Sequence, residues 1–284
     1  MKLLLLVLIS TYLFAVPSEI IHSSISTYIE DRTYTNSIQK NDANTYGIGA
    51  DVHYNGSEYK ATYEYTHADT KQPPLNEDLK NHKIFLRYGY NINQDIKLNL
   101  NYLSVLNDNI AITDGGDGYG LGLSYTFNKK FLTNFTQYMV VYDDFNTYQS
   151  DLSFIYKTKI NGVGLKLSSI SKYIKIDEKS KNSFTKNAKN NYFTSGIKLH
   201  AHYNTYHFGA GAYFGKRAFS IMNDGFKLQH HAMEFDRTYA IGVGKSISDF
   251  ILRVQYIYQR AEELPMQNNN VEIDNIRFLL NLKI

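Results

Sequence analysis

The chain has 284 residues, with 30 basic and 27 acidic side chains, a net charge of +3 and no cysteine. Near-balanced charge gives no electrostatic reason to expect nucleic acid, and the absence of cysteine excludes a disulfide-stapled scaffold. Four prolines against 25 tyrosines and 16 phenylalanines point to strands rather than to an unstructured chain.

The first element is "MKLLLLVLISTYLFA". Lys2 precedes an apolar run from Leu3 to Phe14, and Ala15 closes it. The run is too short for a membrane-spanning helix, which needs about 20 residues. It has the charged and apolar parts of a secretory signal. Residues 1–15 are expected to be a signal peptide and 16–284 a single domain.

From there the pattern alternates with period two. "TYGIGADVHY" puts Tyr46, Ile48, Ala50, Val52 and Tyr54 on one face. "SEYKATYEYTH" puts Tyr59, Ala61, Tyr63 and Tyr65 opposite Glu58, Lys60, Thr62 and Glu64. Leu98, Leu123, Phe154 and Leu252 hold equivalent places in later segments, and the last segment alternates through Ile276, Phe278, Leu280 and Leu282. Such segments are strands with one apolar face. They are expected at 20–34, 45–55, 57–67, 83–92, 95–106, 118–128, 131–142, 147–158, 162–174, 192–203, 206–216, 232–245, 249–260 and 272–284. That gives about 14 strands, or 12 or 16 if one hairpin is merged or added. The seventh segment, "FLTNFTQYMVVY", selects neither face cleanly.

The connections alternate too. Short turns fall at Asn55, Asn91, Asn128, Lys159, Tyr203 and Ser246. Longer polar links lie at 36–44, 67–82, 107–117, 175–191, 216–231 and 261–271, with a shorter one near Asp143–Asn146. Tight turns at one rim and loops at the other describe an antiparallel meander. Left open, such a sheet would expose two edges and an oily face. Backbone groups in lipid must all be paired, so the sheet has to close on itself. The expected fold is all-β: a transmembrane antiparallel up-and-down β-barrel, its last strand paired with its first.

Over the whole span 16–284 this architecture resembles the bacterial outer-membrane β-barrels of the porin-like kind. Ile276, Phe278, Leu280 and Leu282 match the alternating last strand of that class, and Ile284 stands where the class usually has an aromatic residue. The resemblance implies residence in the bacterial outer membrane, contact with its lipid and lipopolysaccharide, and recognition of the C-terminal strand by the insertion machinery. It implies no cofactor and leaves the oligomeric state open. Lys179, Lys181, Lys186 and Lys189 form either a solvated loop or a contact for lipopolysaccharide.

The inward faces carry the candidate chemistry. Gly47, Gly49, Gly118, Gly120, Gly122, Gly209 and Gly211 either leave room for a pore or permit curvature. Lys97, Arg87, Lys166, Lys198, Arg253 and Arg277 are basic pore-lining candidates, within an inward tally that also holds Arg32, Lys60, Lys83, Lys157 and Lys283. The acids of that tally are Glu30, Asp51, Glu58, Glu64, Asp151, Glu234 and Asp236. The excess of base suggests a mild anion preference, and a self-neutralising lattice of salt bridges is the other reading.

In "IKLHAHYNTYHFGAG", a two-residue turn at Asn204–Thr205 would place His202 opposite His207, with His200 beside them facing inward. Solvated lumen residues, a divalent-metal site and a pH-dependent constriction are the three readings. "DGGDG" at Asp114–Gly118 reads as a surface turn, since it lacks the ligand spacing of a calcium loop. Asp143, Asp144, His230 and His231 fall near the loop rim, but no nucleophile with a positioned base can be assigned. The leading expectation is a channel for small polar solutes and not an enzyme. A structural or adhesive barrel with a filled lumen is the alternative, and an outer-membrane lipase or protease comes third.

Overall fold

The structure, a computed structural model, describes residues 20–73, 75–107, 112–181, 183, 185–229 and 232–284. The expected signal peptide lies outside the described residues, as do His230 and His231. The chain forms β1 (Ile20–Thr35), β2 (Lys40–Tyr54), β3 (Ser57–Thr70), β4 (Leu79–Asn91) and β5 (Ile96–Asn107). It continues with β6 (Asp117–Phe127), β7 (Phe131–Val141), β8 (Asn146–Ile160), β9 (Val163–Asp177), β10 (Asn191–Tyr203) and β11 (Tyr206–Arg217). Two short strands, β12 (Ile221–Met222) and β13 (Lys227–Leu228), precede β14 (Met233–Ile247), β15 (Phe250–Glu263) and β16 (Asn268–Lys283).

All strands except β12 and β13 join in one closed antiparallel barrel of 14 strands. β1 and β16 close it, with Tyr28 opposite Leu279 and Ile29 opposite Phe278. The outward rows are aromatic and aliphatic: Phe208, Ile241 and Phe278 are each more than half exposed. A sheet with an apolar outside and no free edge satisfies its backbone groups within lipid. Asn55–Gly56, Asn161–Gly162 and Asn204 hold positive φ at the tight turns. Turns of that hand match the twist of the flanking strands. The six tight turns define a turn rim, and the remaining connections define a loop rim.

Two expectations about the loop rim need correction. The segments 36–44 and 261–271 are not long loops: β2 already begins at Lys40 and β15 runs to Glu263. Polar residues beyond the apolar belt still pair their backbones, so strands outlast the alternation that reveals them. The segment 216–231 is not an outward polar loop either. Its β12–β13 hairpin folds into the barrel. Ala218, Phe219, Ile221 and Leu228 are buried there against inward-facing Phe85, Leu103, Val105, Tyr138, Val140, Ile174 and Ile176. The hairpin thus fills part of the loop-rim half of the lumen with an apolar core. This explains the unclear face of the seventh strand: Phe131, Phe135 and Met139 face lipid, while Tyr138 and Val140 meet the hairpin.

The inward glycines also do something more specific than leave space. A Cβ at Gly120 would sit 2.5 Å from the ring of Tyr138. Gly47 and Gly196 seat the rings of Tyr28 and Tyr213 in the same way. Each glycine lets a tyrosine from the next strand lie flat on the wall, a known device for pinning register. Gly209 and Gly211 are different: their nearest neighbours stand at ordinary contact distances of 3.4 Å or more.

Candidate functional site

The hairpin is held from three sides. The Gln149 side chain accepts from Ile221 N at 2.8 Å and donates to Ile221 O at 2.7 Å. Lys172 donates to the same carbonyl at 2.9 Å. Across the lumen, Lys227 donates to both oxygens of Glu30 at 3.1 Å. From β4, the Arg87 guanidinium lies 4.8 Å from the centre of the Phe226 ring. Lys227 is the least comfortable member, because burial pushes its amine down to about 8 while Glu30 pulls it back up.

One wall of the lumen, built from β1–β5 and β16, neutralises itself. Glu30 is fully buried and takes hydrogen bonds from Arg32, Arg277 and Lys227. Glu64 takes Tyr28 and Lys83. Glu58 takes Lys60 and Lys97, and Lys60 also reaches Asp51 at 3.0 Å. Asp236 leaves the inward tally: at a bulge between Phe235 and Arg237 the ladder slips, and its carboxylate pairs with Arg237 and Arg260 at the outer side.

The opposite wall, built from β8–β11, β14 and β15, is basic and unpaired in its turn-rim half, whereas nearer the loop rim Lys172 pairs with Asp151 and Lys216 with Glu234. Lys157 stands opposite Lys166, and Lys166 opposite His200. Like charges directly opposed on a sheet repel, so this ladder suits a place where water or an anion screens it. Among the described residues, Lys157, Lys166, Lys198 and Arg253 form no ion pair, and Arg253 Nε is buried without a hydrogen-bond acceptor. Lys157, Lys166 and Arg253 border a cavity of about 480 Å³ on the turn-rim side, lined also by His200, His202 and His207. A second cavity of about 330 Å³ shares His200, Gly209, Gly242 and Gln255 with it. It runs on past Lys198 and Arg277 to Met222, Asn223 and Lys227 of the hairpin.

The nine candidate lumen residues therefore separate into two groups. Lys97, Arg87 and Arg277 have partners in Glu58, Asn101 and Glu30. Lys166, Lys198, Arg253, His200, His202 and His207 line the cavities. His202 is opposite His207, their ring centres 4.6 Å apart, and Tyr203 is opposite Tyr206 across the Asn204–Thr205 turn. His207 Nε2 lies 2.8 Å from Ser246 Oγ. The groups acting on that imidazole from the packed strands are Arg253, His202 and Lys283, with no carboxylate among these described residues to orient it as a base. The residues that sequence reasoning missed are in the hairpin: Asp224, Phe226 and Lys227. The signal that marks them is a long loop carrying Phe219, Ile221, Met222, Phe226 and Leu228 around "NDG".

Among the described residues, two groups of side chains have the composition of a cation site. Asp51, His53 and Glu58 converge near the turn rim, but the ammonium groups of Lys60 and Lys97 already occupy their carboxylates. His67, Asp69 and Asp78 converge at the loop rim. There the backbone N–H of Thr70, with His67 nearby, holds the Asp78 carboxyl below the usual range. Asp114 accepts from Asn107 N at 2.7 Å, and Asp117 accepts from Tyr102 at 2.8 Å, so "DGGDG" is tied into a turn.

No protein-family model and no curated protein sequence matches the chain. Solved structures do match it. A bacterial polysaccharide outer membrane secretin aligns with a TM-score of 0.56 at 9% identity, covering 92% of this chain and 98% of that one. The toluene transporter TbuX of Ralstonia pickettii aligns with a TM-score of 0.56 at 8% identity, over 94% and 90%. The outer membrane protein Omp33 of Acinetobacter baumannii aligns with a TM-score of 0.51 at 9% identity, over 93% and 99%. At such identities the likeness is one of fold: the chain has the closed barrel of bacterial outer-membrane proteins.

Proposed function

We propose that the protein is an outer-membrane channel for small polar solutes that favours anions, with its turn rim toward the periplasm and a lumen narrowed by the hairpin 218–229. The observation that carries this reading is the unpaired basic wall. Lys157, Lys166, Lys198 and Arg253 face connected cavities without a carboxylate partner among the described residues. Unpaired charge in a low-dielectric enclosure is costly unless something mobile compensates it. A passing anion does so, and selection then follows from pore width and charge with no covalent chemistry. One of the similar structures is named a toluene transporter. The basic wall here suits a charged solute better than toluene.

The apolar core around Phe219 and Ile221 favours a second reading, a barrel whose filled lumen serves structure or adhesion. Planar-bilayer recording separates the two. The channel reading expects stepwise, anion-selective conductance, larger when residues 221–228 are replaced by a Gly-Ser linker. Absence of conductance in both proteins, each verified as folded by its strand circular dichroism, sinks the channel and leaves the filled barrel.

A further inference from the structure

The hairpin brings its own anion to the basic wall. Its turn is Asn223–Asp224–Gly225, all three at positive φ of 50°, 55° and 98°. Asp224 is exposed at the tip, and its neighbours Met222 and Asn223 line the same cavity as Lys198 and His200. Asp224 is the carboxylate whose field reaches both Lys166 and Lys198. It nevertheless makes direct contact with neither, because the clasps at Ile221 and Lys227 fix the hairpin on both sides of the tip. The amide side chains of Asn223, Gln229 and Gln255 border the same space and can donate to a second acceptor oxygen.

We infer that Lys166, Lys198 and His200 form a carboxylate-binding subsite for which Asp224 is the tethered counter-ion, exchanged for the carboxylate of an incoming solute. The ligand class follows from the occupant. A carboxylate on a turn satisfies this wall at a distance, and a free carboxylate can approach the ammonium groups more closely. Exchange removes the attraction between the hairpin tip and the wall, so the solute itself loosens the element that narrows its path. The gating consequence rests on the channel reading, whereas the subsite does not.

The test uses succinate, with neutral succinamide as control, on the full barrel in detergent and in planar bilayers. Asp224→Asn keeps the turn, since Asn accepts positive φ as readily as Asp. Calorimetry should show succinate binding tighter in Asp224→Asn than in the wild type by about 3- to 10-fold, the effect of removing one partly screened competing charge. Lys166→Ala/Lys198→Ala should abolish binding, and succinamide should bind neither protein. Equal succinate affinity in Asp224→Asn and wild type, or equal binding of succinamide, overturns the subsite. In bilayers, succinate should raise the open fraction of the wild type and leave that of Asp224→Asn unchanged. Folded protein that never conducts but gains succinate affinity in Asp224→Asn ends the channel reading and upholds the subsite.

Discussion

The two walls of the lumen are made of the same residue types on the same kind of strand, and they behave as opposites. On the β1–β5 and β16 side, acids stand across the ladder from bases, as Glu64 faces Lys83, Asp51 faces Lys60 and Glu30 faces Arg277. On the turn-rim half of the β8–β11 side, the partner across the ladder is often another base or a glycine, as with Lys157 and Lys166, or His200 and Gly209, while nearer the loop rim Lys172 faces Asp151. Whether an acid lies within reach, across the ladder or two strands away as Glu58 does for Lys97, therefore decides whether an inward lysine is a structural tie or a source of field. A charge tally summed over the barrel hides this, because Glu30, Asp51, Glu58 and Glu64 lie on one wall and the unpaired bases on the other.

The sharpest way to break the comparison is to remove an acid from the paired wall. Glu30 is fully buried and serves Arg32, Arg277 and Lys227 together. Glu30→Gln leaves three cations crowded without a counter-charge, which should cost about 3–5 kcal/mol in equilibrium urea unfolding in lipid vesicles. Lys166→Ala on the other wall should change stability by no more than about 0.5 kcal/mol. It should instead move the reversal potential in a salt gradient toward cation preference. If Glu30→Gln is neutral, or if Lys166→Ala destabilises as strongly, the division into tie and field is wrong.

A charge placed on the lipid face, with neither partner nor water, calibrates both walls. Ile241 lies six residues from the end of β14 and is 62% exposed on the outward face. Ile241→Arg should cost roughly 2–4 kcal/mol, the penalty near a bilayer midplane. Leu252 is only the third residue of β15, next to the turn rim. Leu252→Arg should cost roughly 0–1 kcal/mol, because an arginine there can reach the interface. Equal costs at the two sites would mean that the apolar belt is not centred where the strand ends place it.

What the sequence discloses follows from what constrains each residue. The opposition of His202 and His207 is legible, because a two-residue turn at Asn204 fixes the register of everything beside it. The strand count is legible, because lipid demands alternation along every strand. The strand ends at Lys40 and Glu263 are not, because backbone pairing beyond the lipid asks nothing of the side chains. Nor is the hairpin, whose place inside depends on contacts with strands far away in sequence. Its trace is indirect: Leu103 and Val105, then Val140, then Ile174 and Ile176, are apolar on the inward face near the loop rim. Alternation fails there because both faces meet something oily. The paired and unpaired walls were beyond reach for a simpler reason: each strand's neighbours are legible, but which charges meet across them changes with a single bulge, as at Asp236.

The smallest expected effect concerns Lys227, the one base that the hairpin presents to the paired wall. Docking moves its amine from the ordinary lysine range down to about 8, burial outweighing the pull of Glu30. The other groups acting on it from the packed strands are Arg277, Arg32 and Glu64, and the two arginines push in the same direction as burial. A group whose value falls on docking releases a proton when it docks, so the docked hairpin gains as pH rises from about 8 toward the ordinary lysine value. The contact with Glu30 weakens over that window, yet the cost of burying an ammonium ion disappears with it, and Arg32 and Arg277 still neutralise Glu30. Raising the pH from 7 to 9 should therefore favour the docked state by up to about tenfold. The readout is a lower open fraction at pH 9 in planar bilayers. Lys227→Gln should flatten that response while leaving the response to succinate intact. A higher open fraction at pH 9 would show that the ion pair, and not the burial of the amine, decides how firmly the hairpin sits.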